Sequence, residues 1–204
     1  MSHLDLFAIP LYRTIIGEPT ESEQTHLKGV AMTPGRSQAL NSTNLHILDV
    51  IQLRELRGKV ESGIAEYMTH LGVDQNKISM NITTSWVNRY SKGDLTHQHH
   101  HSNSIISGVY YLEDCDETAP IQFHRAPGYV NLWPNTINLP IKTHNALNID
   151  VVTVIPKAGE LIMWPSHLAH SVPPNQSDQD RHTIAFNTFV KGTLDPQGGS
   201  ELTI

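Results

Sequence analysis

The chain has 204 residues, 38% apolar and 17% charged, the make-up of an ordinary soluble domain with enough residues for a core. A formal net charge of −6 without any basic block counts against non-specific binding to nucleic acid or to an anionic membrane. The single cysteine, Cys115, excludes an intramolecular disulfide and fits a reducing compartment. It sits in the acidic turn EDCDE, where nothing nearby is placed to activate a nucleophile, and reads as incidental.

In chain order, LFAIPLYRTII (6–16) reads as an edge strand, where Pro10 is tolerated because an edge need not donate every amide. The N-terminal stretch lacks the basic leader of a signal peptide, and no run approaches the length of a membrane span, so the expected location is the cytoplasm. Residues 17–45 read as polar and irregular. Leu53, Leu56, Val60, Ile64, Tyr67 and Leu71 recur at spacings of three and four, which predicts an amphipathic helix over roughly 47–71 with Gly72 as its C-cap. Gly58 and Gly63 weaken that helix, so packing must support it.

After Gly72 the period changes to two. ISMNITTSWVNRY (78–90) is an alternating strand with Met80, Ile82, Trp86, Asn88 and Tyr90 on one face. Further strands are expected at 104–112, 120–124, 150–155, 160–164 and 181–190, separated by turns such as RAPG, WPNTINLP and VPPNQSDQD. One helix followed by many short strands predicts a mainly β (α+β) fold, with a double-stranded β-helix, or jelly roll, as the simplest closed solution. A single domain over 1–204 is expected, with 1–75 as scaffold and the core at about 78–190. A homodimer is the default expectation for assembly.

The unusual feature is histidine: 13 in all, four of them within THQHHHSNSIISGVYYL (96–112). In an extended chain His97, His99 and His101 share one face and His100 points away. Two imidazoles at i and i+2 can hold one metal ion, and a third ligand from another strand would complete a facial triad. The bland alternative is a solvated loop that binds metal adventitiously. The balance is shifted by LIMWPSHLAHSVPPNQSDQDRHTIAFNTF (161–189), where His167 and His170 follow an apolar strand and Arg181 opens another, with Thr183 on its face. An arginine pointing into an apolar barrel calls for an anionic partner, which a carboxylate ligand would provide through a bidentate pair.

His-x-His, a later histidine, then an arginine with Thr two residues on, together with SGVYYL and RHTIAFN, resemble the Fe(II)- and 2-oxoglutarate-dependent oxygenases of the prolyl-hydroxylase-like branch. LFAIPLY, SWVNRYSKGD and LIMWPSHLAHSV add a likeness to an uncharacterised microbial and phage group of 2-oxoglutarate oxygenases, strongest from about 84 to 190. The resemblance implies iron ligands at His99, His101 and His170, with His97/His99 as the alternative pair. It implies cosubstrate contacts from Arg181, Thr183, Tyr111 and, on the neighbouring strand, Asn88. His101 stands where most of these enzymes carry a carboxylate. His100, His124 and His182 are expected to be ordinary surface or strand residues, His167 a turn residue, and Trp86 and Trp164 core. Tyr110 is expected on the face opposite Tyr111.

The implied activity is hydroxylation of a peptide, protein or small molecule, with release of succinate and CO2. Two other classes stay open: a cupin-type dioxygenase with three histidines that does not use 2-oxoglutarate, and a non-enzymatic metal-binding β-domain. Arg181 separates them, because only the first reading needs its side chain in the histidine cavity.

Overall fold

The computed structural model describes residues 8–35, 37–115, 120–125, 139–195 and 198–204. The start of the 6–16 segment, and most of the RAPG and WPNTINLP turns, lie outside these residues.

The N-terminal third contains β1 (Tyr12–Ile15), α1 (Glu21–Lys28), β2 (Met32–Pro34), β3 (Leu40–Ser42) and α2 (Arg54–His70). The core follows with β4 (Ile78–Tyr90), β5 (Thr96–His99), β6 (Ile106–Tyr111), β7 (Ile121–His124) and β8 (Val151–Val154). It ends with β9 (Glu160–Pro165), β10 (His170–Val172), β11 (Arg181–Leu194) and the short β12 (Leu202–Thr203). The larger sheet runs β1-β9-β6-β11-β4-β3-β2, with β12 paired to β11, and the smaller runs β5-β10-β7-β8. The two sheets form the double-stranded β-helix expected from the strand pattern.

α2 covers the outer face of the large sheet. Leu56, Val60, Ile64 and Tyr67 share one buried core with Ile106, Tyr110, Leu161, Met163, Ile184 and Phe186. Burying such a side chain contributes roughly 1.5–3 kcal/mol each, which is how the helix tolerates its glycines. Two 3-10 turns, at Ile47–Asp49 and Ile51–Leu53, occupy the first part of the span predicted as helix. Leu71 caps α2 and Gly72 follows with φ +71, the left-handed conformation that favours glycine after a helix. A second core lies between the sheets and holds Tyr111, Phe123, Val154, Ile162 and Trp164.

Two findings differ from the sequence reading. Residues 17–45 are not irregular. They form α1, whose N-terminus carries a reciprocal capping box between Thr20 and Glu23, and two strands that extend the large sheet. In β4 the alternation is broken by a bulge: Asn187 of β11 pairs with Thr84, while Thr188 pairs with Ile82. The extra residue resets the pleat. Met80 and Ile82 therefore pack with Val87 on the helix side, while Trp86, Asn88 and Tyr90 face the space between the sheets.

Candidate active site

Inward-facing residues of the large sheet fall in transverse rows. Tyr90 pairs with Arg181, Asn88 with Thr183 and Thr183 with Tyr111, and further along Thr84 pairs with Asn187 and Asn187 with Ser107. By the two-residue period Arg181, Thr183, Ala185 and Asn187 share one face of β11. That face looks inward, because the intervening Ile184 and Phe186 belong to the helix-side core. Ala185, a small buried side chain, lies between the arginine end and the Asn187 end.

The histidines sit at the Asn187 end. His99 closes β5 and pairs directly with His170, which opens β10. His101 follows in the connection to β6, where Asn103 at φ 55 turns the chain. The His101 amide donates to Ser166 O at 3.0 Å. His99, His101 and His170 offer ring nitrogens all within 4.8 Å of one another, the one such group of His, Cys, Asp or Glu among the described residues. His97 and His100 are exposed and stand outside this group, as does the exposed His167. His124 bonds Ser171 Oγ at 2.7 Å, and His182 bonds Glu113.

Each ring is oriented by an oxygen on its far side. His99 Nδ1 lies 2.9 Å from His97 O, His170 Nδ1 lies 3.1 Å from Leu168 O, and His101 Nδ1 lies 2.5 Å from Asn187 Oδ1. An acceptor at Nδ1 assigns the proton there and leaves the Nε2 lone pair for a metal. His99 Nε2 and His101 Nε2 face each other at 3.2 Å. Two lone pairs at that distance repel, so the arrangement calls for a cation between them. Burial pulls His101 down to about 4 and His170 to about 3, so both are neutral, as ligands must be, at neutral pH. Three imidazole donors on one side of an ion suit Fe(II) and leave further positions open.

At the other end Arg181 is buried, with its guanidinium 4.5 Å over the Tyr90 ring and Nη1 3.8 Å from Cys115 Sγ. Cys115, which reads as incidental in the sequence, is therefore a neighbour of the site. Tyr111 is buried and its phenol is raised by desolvation, against the opposing charge of Arg181, so it keeps its proton and remains a donor. Asn88 is largely engaged by the protein. Its Oδ1 accepts from Asn41 at 2.6 Å and from Trp86 Nε1 at 2.8 Å, and its Nδ2 donates to Thr183 Oγ1 at 3.1 Å.

Trp164 is wholly buried, with its ring centroid 4.7 Å from that of His170 in an edge-on arrangement. Trp86, expected in the core, is half-buried with its ring 6.1 Å from that of His101. It turns toward the site because of the bulge in β4. Asn187 and Ser107 are not among the site residues expected from the sequence. The signal is positional, since Asn187 lies six residues from Arg181 and so shares its face of β11.

Comparison with known proteins decides the family. Residues 84–187, just over half the chain, match the family described as "Putative 2OG-Fe(II) oxygenase". The chain belongs to this family. It is an Fe(II)- and 2-oxoglutarate-dependent oxygenase, and the three-histidine group fits the iron site. No curated protein matches it. Among solved structures it is similar to the α-ketoglutarate-dependent epimerase SnoN from nogalamycin biosynthesis, with TM-score 0.62, 14% identity, and coverage of 94% of this chain and 83% of that one. HygX from Streptomyces hygroscopicus, solved with nickel and 2-oxoglutarate, gives TM-score 0.61 at 12% identity, over 88% of this oxygenase and 82% of HygX. A prolyl-4-hydroxylase from Pseudomonas putida gives 0.57 at 12% identity, over 88% and 92%. These likenesses concern the fold.

Proposed function

We propose that this oxygenase holds iron through Nε2 of His99, His101 and His170 and anchors the distal carboxylate of 2-oxoglutarate on Arg181. The observation that carries the reading is that each of the three imidazoles has Nδ1 bonded to oxygen, while the three offer ring nitrogens within 4.8 Å of one another and His99 Nε2 faces His101 Nε2. When bound, the iron and 2-oxoglutarate supply the oxidising chemistry, in which the cosubstrate leaves as succinate and CO2 and one oxygen atom is delivered to the substrate.

The chain's own residues bind, orient and exclude water. Arg181 supplies a planar fork to the carboxylate, and Tyr111 and Thr183 add hydroxyl donors on the neighbouring row. Asn88 serves through Thr183 and keeps one amide hydrogen for the cosubstrate. Tyr111, Phe123, Ile162 and Trp164 form a dry wall that strengthens these charged contacts.

The reaction we assign is hydroxylation, in the cytoplasm, of a peptide, protein or small molecule. Resemblance to a prolyl-4-hydroxylase supports the first two, and resemblance to SnoN and HygX, solved with nogalamycin RO and hygromycin B, supports the third. The net charge of −6 makes nucleic acid a poor partner. No helix among the described residues is long and apolar enough to cross a membrane.

The test is anaerobic visible absorption of metal-stripped protein supplied with Fe(II) and 2-oxoglutarate. A charge-transfer band that disappears in Arg181→Ala and His170→Ala is expected. Iron binding without the band would favour a three-histidine dioxygenase independent of 2-oxoglutarate. No iron binding would overturn the ligand assignment.

A further inference from the structure

We infer that Asn187 is a positioning residue for His101, acting with a chain of serine hydroxyls to set the charge as well as the direction of the middle iron ligand. The inference rests on the reading of His101 as that ligand.

Asn187 Oδ1 lies 2.5 Å from His101 Nδ1 and also accepts from Ser107 Oγ at 2.8 Å, while Asn187 Nδ2 donates to Thr84 Oγ1 at 3.3 Å. The amide is thus held from both sides with its oxygen toward the imidazole. Ser107 Oγ is itself 2.9 Å from His101 Nδ1 and 2.8 Å from Ser166 Oγ, and Ser166 donates to Ser104 Oγ at 2.8 Å. Ser104 ends the chain on Thr188 O at 3.2 Å, on the strand that carries Asn187. Ser107, Ser166 and Thr188 are all at most 1% exposed. A buried polar run of this kind persists only when its members satisfy one another, so it rigidifies the ring it ends on.

The chemistry follows from the acceptor type. His99 and His170 rest on backbone carbonyls, whereas His101 rests on a side chain that evolution can exchange. An amide oxygen accepts the Nδ1 proton without drawing it away, so the ligand stays a neutral imidazole. A carboxylate in the same place would make Nε2 more basic and return part of the negative charge that three neutral ligands lack. Asn187 therefore keeps the donor set neutral.

The experiment compares wild type with Asn187→Ala, Asn187→Asp and His101→Ala. Metal-stripped protein is titrated with Co(II), and the band formed with Fe(II) and 2-oxoglutarate is recorded anaerobically. Asn187→Ala is expected to bind Co(II) about 10–100-fold more weakly. Asn187→Asp is expected to bind at least as tightly as wild type, with the band moved to longer wavelength because the iron becomes easier to oxidise. If both variants keep the wild-type affinity and band and differ only in melting temperature, Asn187 is merely structural and the inference is overturned. If Asn187→Ala does not fold, the near-isosteric Asn187→Asp decides alone by its band position. Wild-type affinity in His101→Ala would instead sink the ligand assignment, whatever Asn187 does.

Discussion

Asn88 donates its side-chain amide to Thr183 Oγ1 at 3.1 Å, across one transverse row of the large sheet. Because the hydroxyl accepts there, its own hydrogen is left to donate into the space between the sheets. Thr183→Val removes that donor with little change of shape. A hydrogen bond to a charged group contributes about 1.5–3 kcal/mol, so the Kd for 2-oxoglutarate should rise by about tenfold or more. Thr183→Ser should keep most of the affinity. Anaerobic calorimetry with an inert divalent metal in place of iron reads both, and unchanged binding in Thr183→Val would remove Thr183 from the cosubstrate site.

The arginine and the histidines stand at opposite ends of β11's inner face, so their losses should separate. Arg181→Ala removes the anionic anchor. Arg181→Lys keeps a charge but loses the fork and the flat contact over Tyr90. Truncating one side of a buried charge pair costs about 2–5 kcal/mol, so both variants should bind 2-oxoglutarate at least about tenfold more weakly, the alanine variant most. Metal affinity without cosubstrate should be unchanged in both. Parallel metal titrations check this, and a fall in Co(II) affinity would contradict the separation of the two ends.

Much of this layout was readable from period and spacing, and the failures have identifiable causes. β6, β7, β8, β9 and β11 are all expected from β-branched or apolar stretches, and their expected spans agree with the structure to within a few residues. β5 and β10 are too short to show a period, although they deliver two of the three histidines. His97/His99 and His99/His101 could not be told apart, since all three share a face in an extended chain, and only the turn at Asn103 and the contact to Asn187 distinguish them. The bulge at residues 83–84 has no signature in the alternation of ISMNITTSWVNRY, so Trp86 was grouped with Met80 when it faces the other way. α1 carries a capping box in TESE, but its main buried apolar residue is Leu27, so apolar periodicity passes over it.

The histidine environment predicts how the metal-free protein responds to acid. His101 and His170 are held neutral by burial, at about 4 and about 3, against about 6.5 in an unfolded chain. Below about pH 6.5 the unfolded chain takes up protons at these positions and the folded one does not, so stability is complete above that pH and falls as the pH is lowered toward 3–4. The slope is at most roughly 1.4 kcal/mol per pH unit for each group. Thermal melting of metal-stripped protein between pH 7 and pH 4.5 should show a falling midpoint. His170→Gln, which cannot titrate, should show a shallower fall. An equal fall in both would mean that other groups govern the acid response.

Three glycines that look alike in sequence should behave differently when changed to alanine. Gly58 lies on the exposed side of α2 with nothing within 4 Å of an added Cβ. Alanine there removes the entropic cost of helical glycine, about 0.5–1 kcal/mol, and should raise Tm by about 1–4 °C. Gly63 faces the sheet, and an added Cβ would meet Leu161 Cδ2 at 2.6 Å, so the same helical gain is offset by the push on a fully buried side chain. Its Tm should not rise. Gly108 is the most constrained, because an added Cβ would lie 2.3 Å from Phe186 Cζ and 2.8 Å from Met163 Cγ, both in the packed core under α2. Overpacking of that kind costs about 1–3 kcal/mol, and Gly108→Ala should melt several degrees lower. Since the methyl points to the helix side, away from Ser107 and the histidines, its affinity for Co(II) should match wild type at temperatures where it is folded. A drop in metal affinity would show that the two faces of β6 are mechanically coupled.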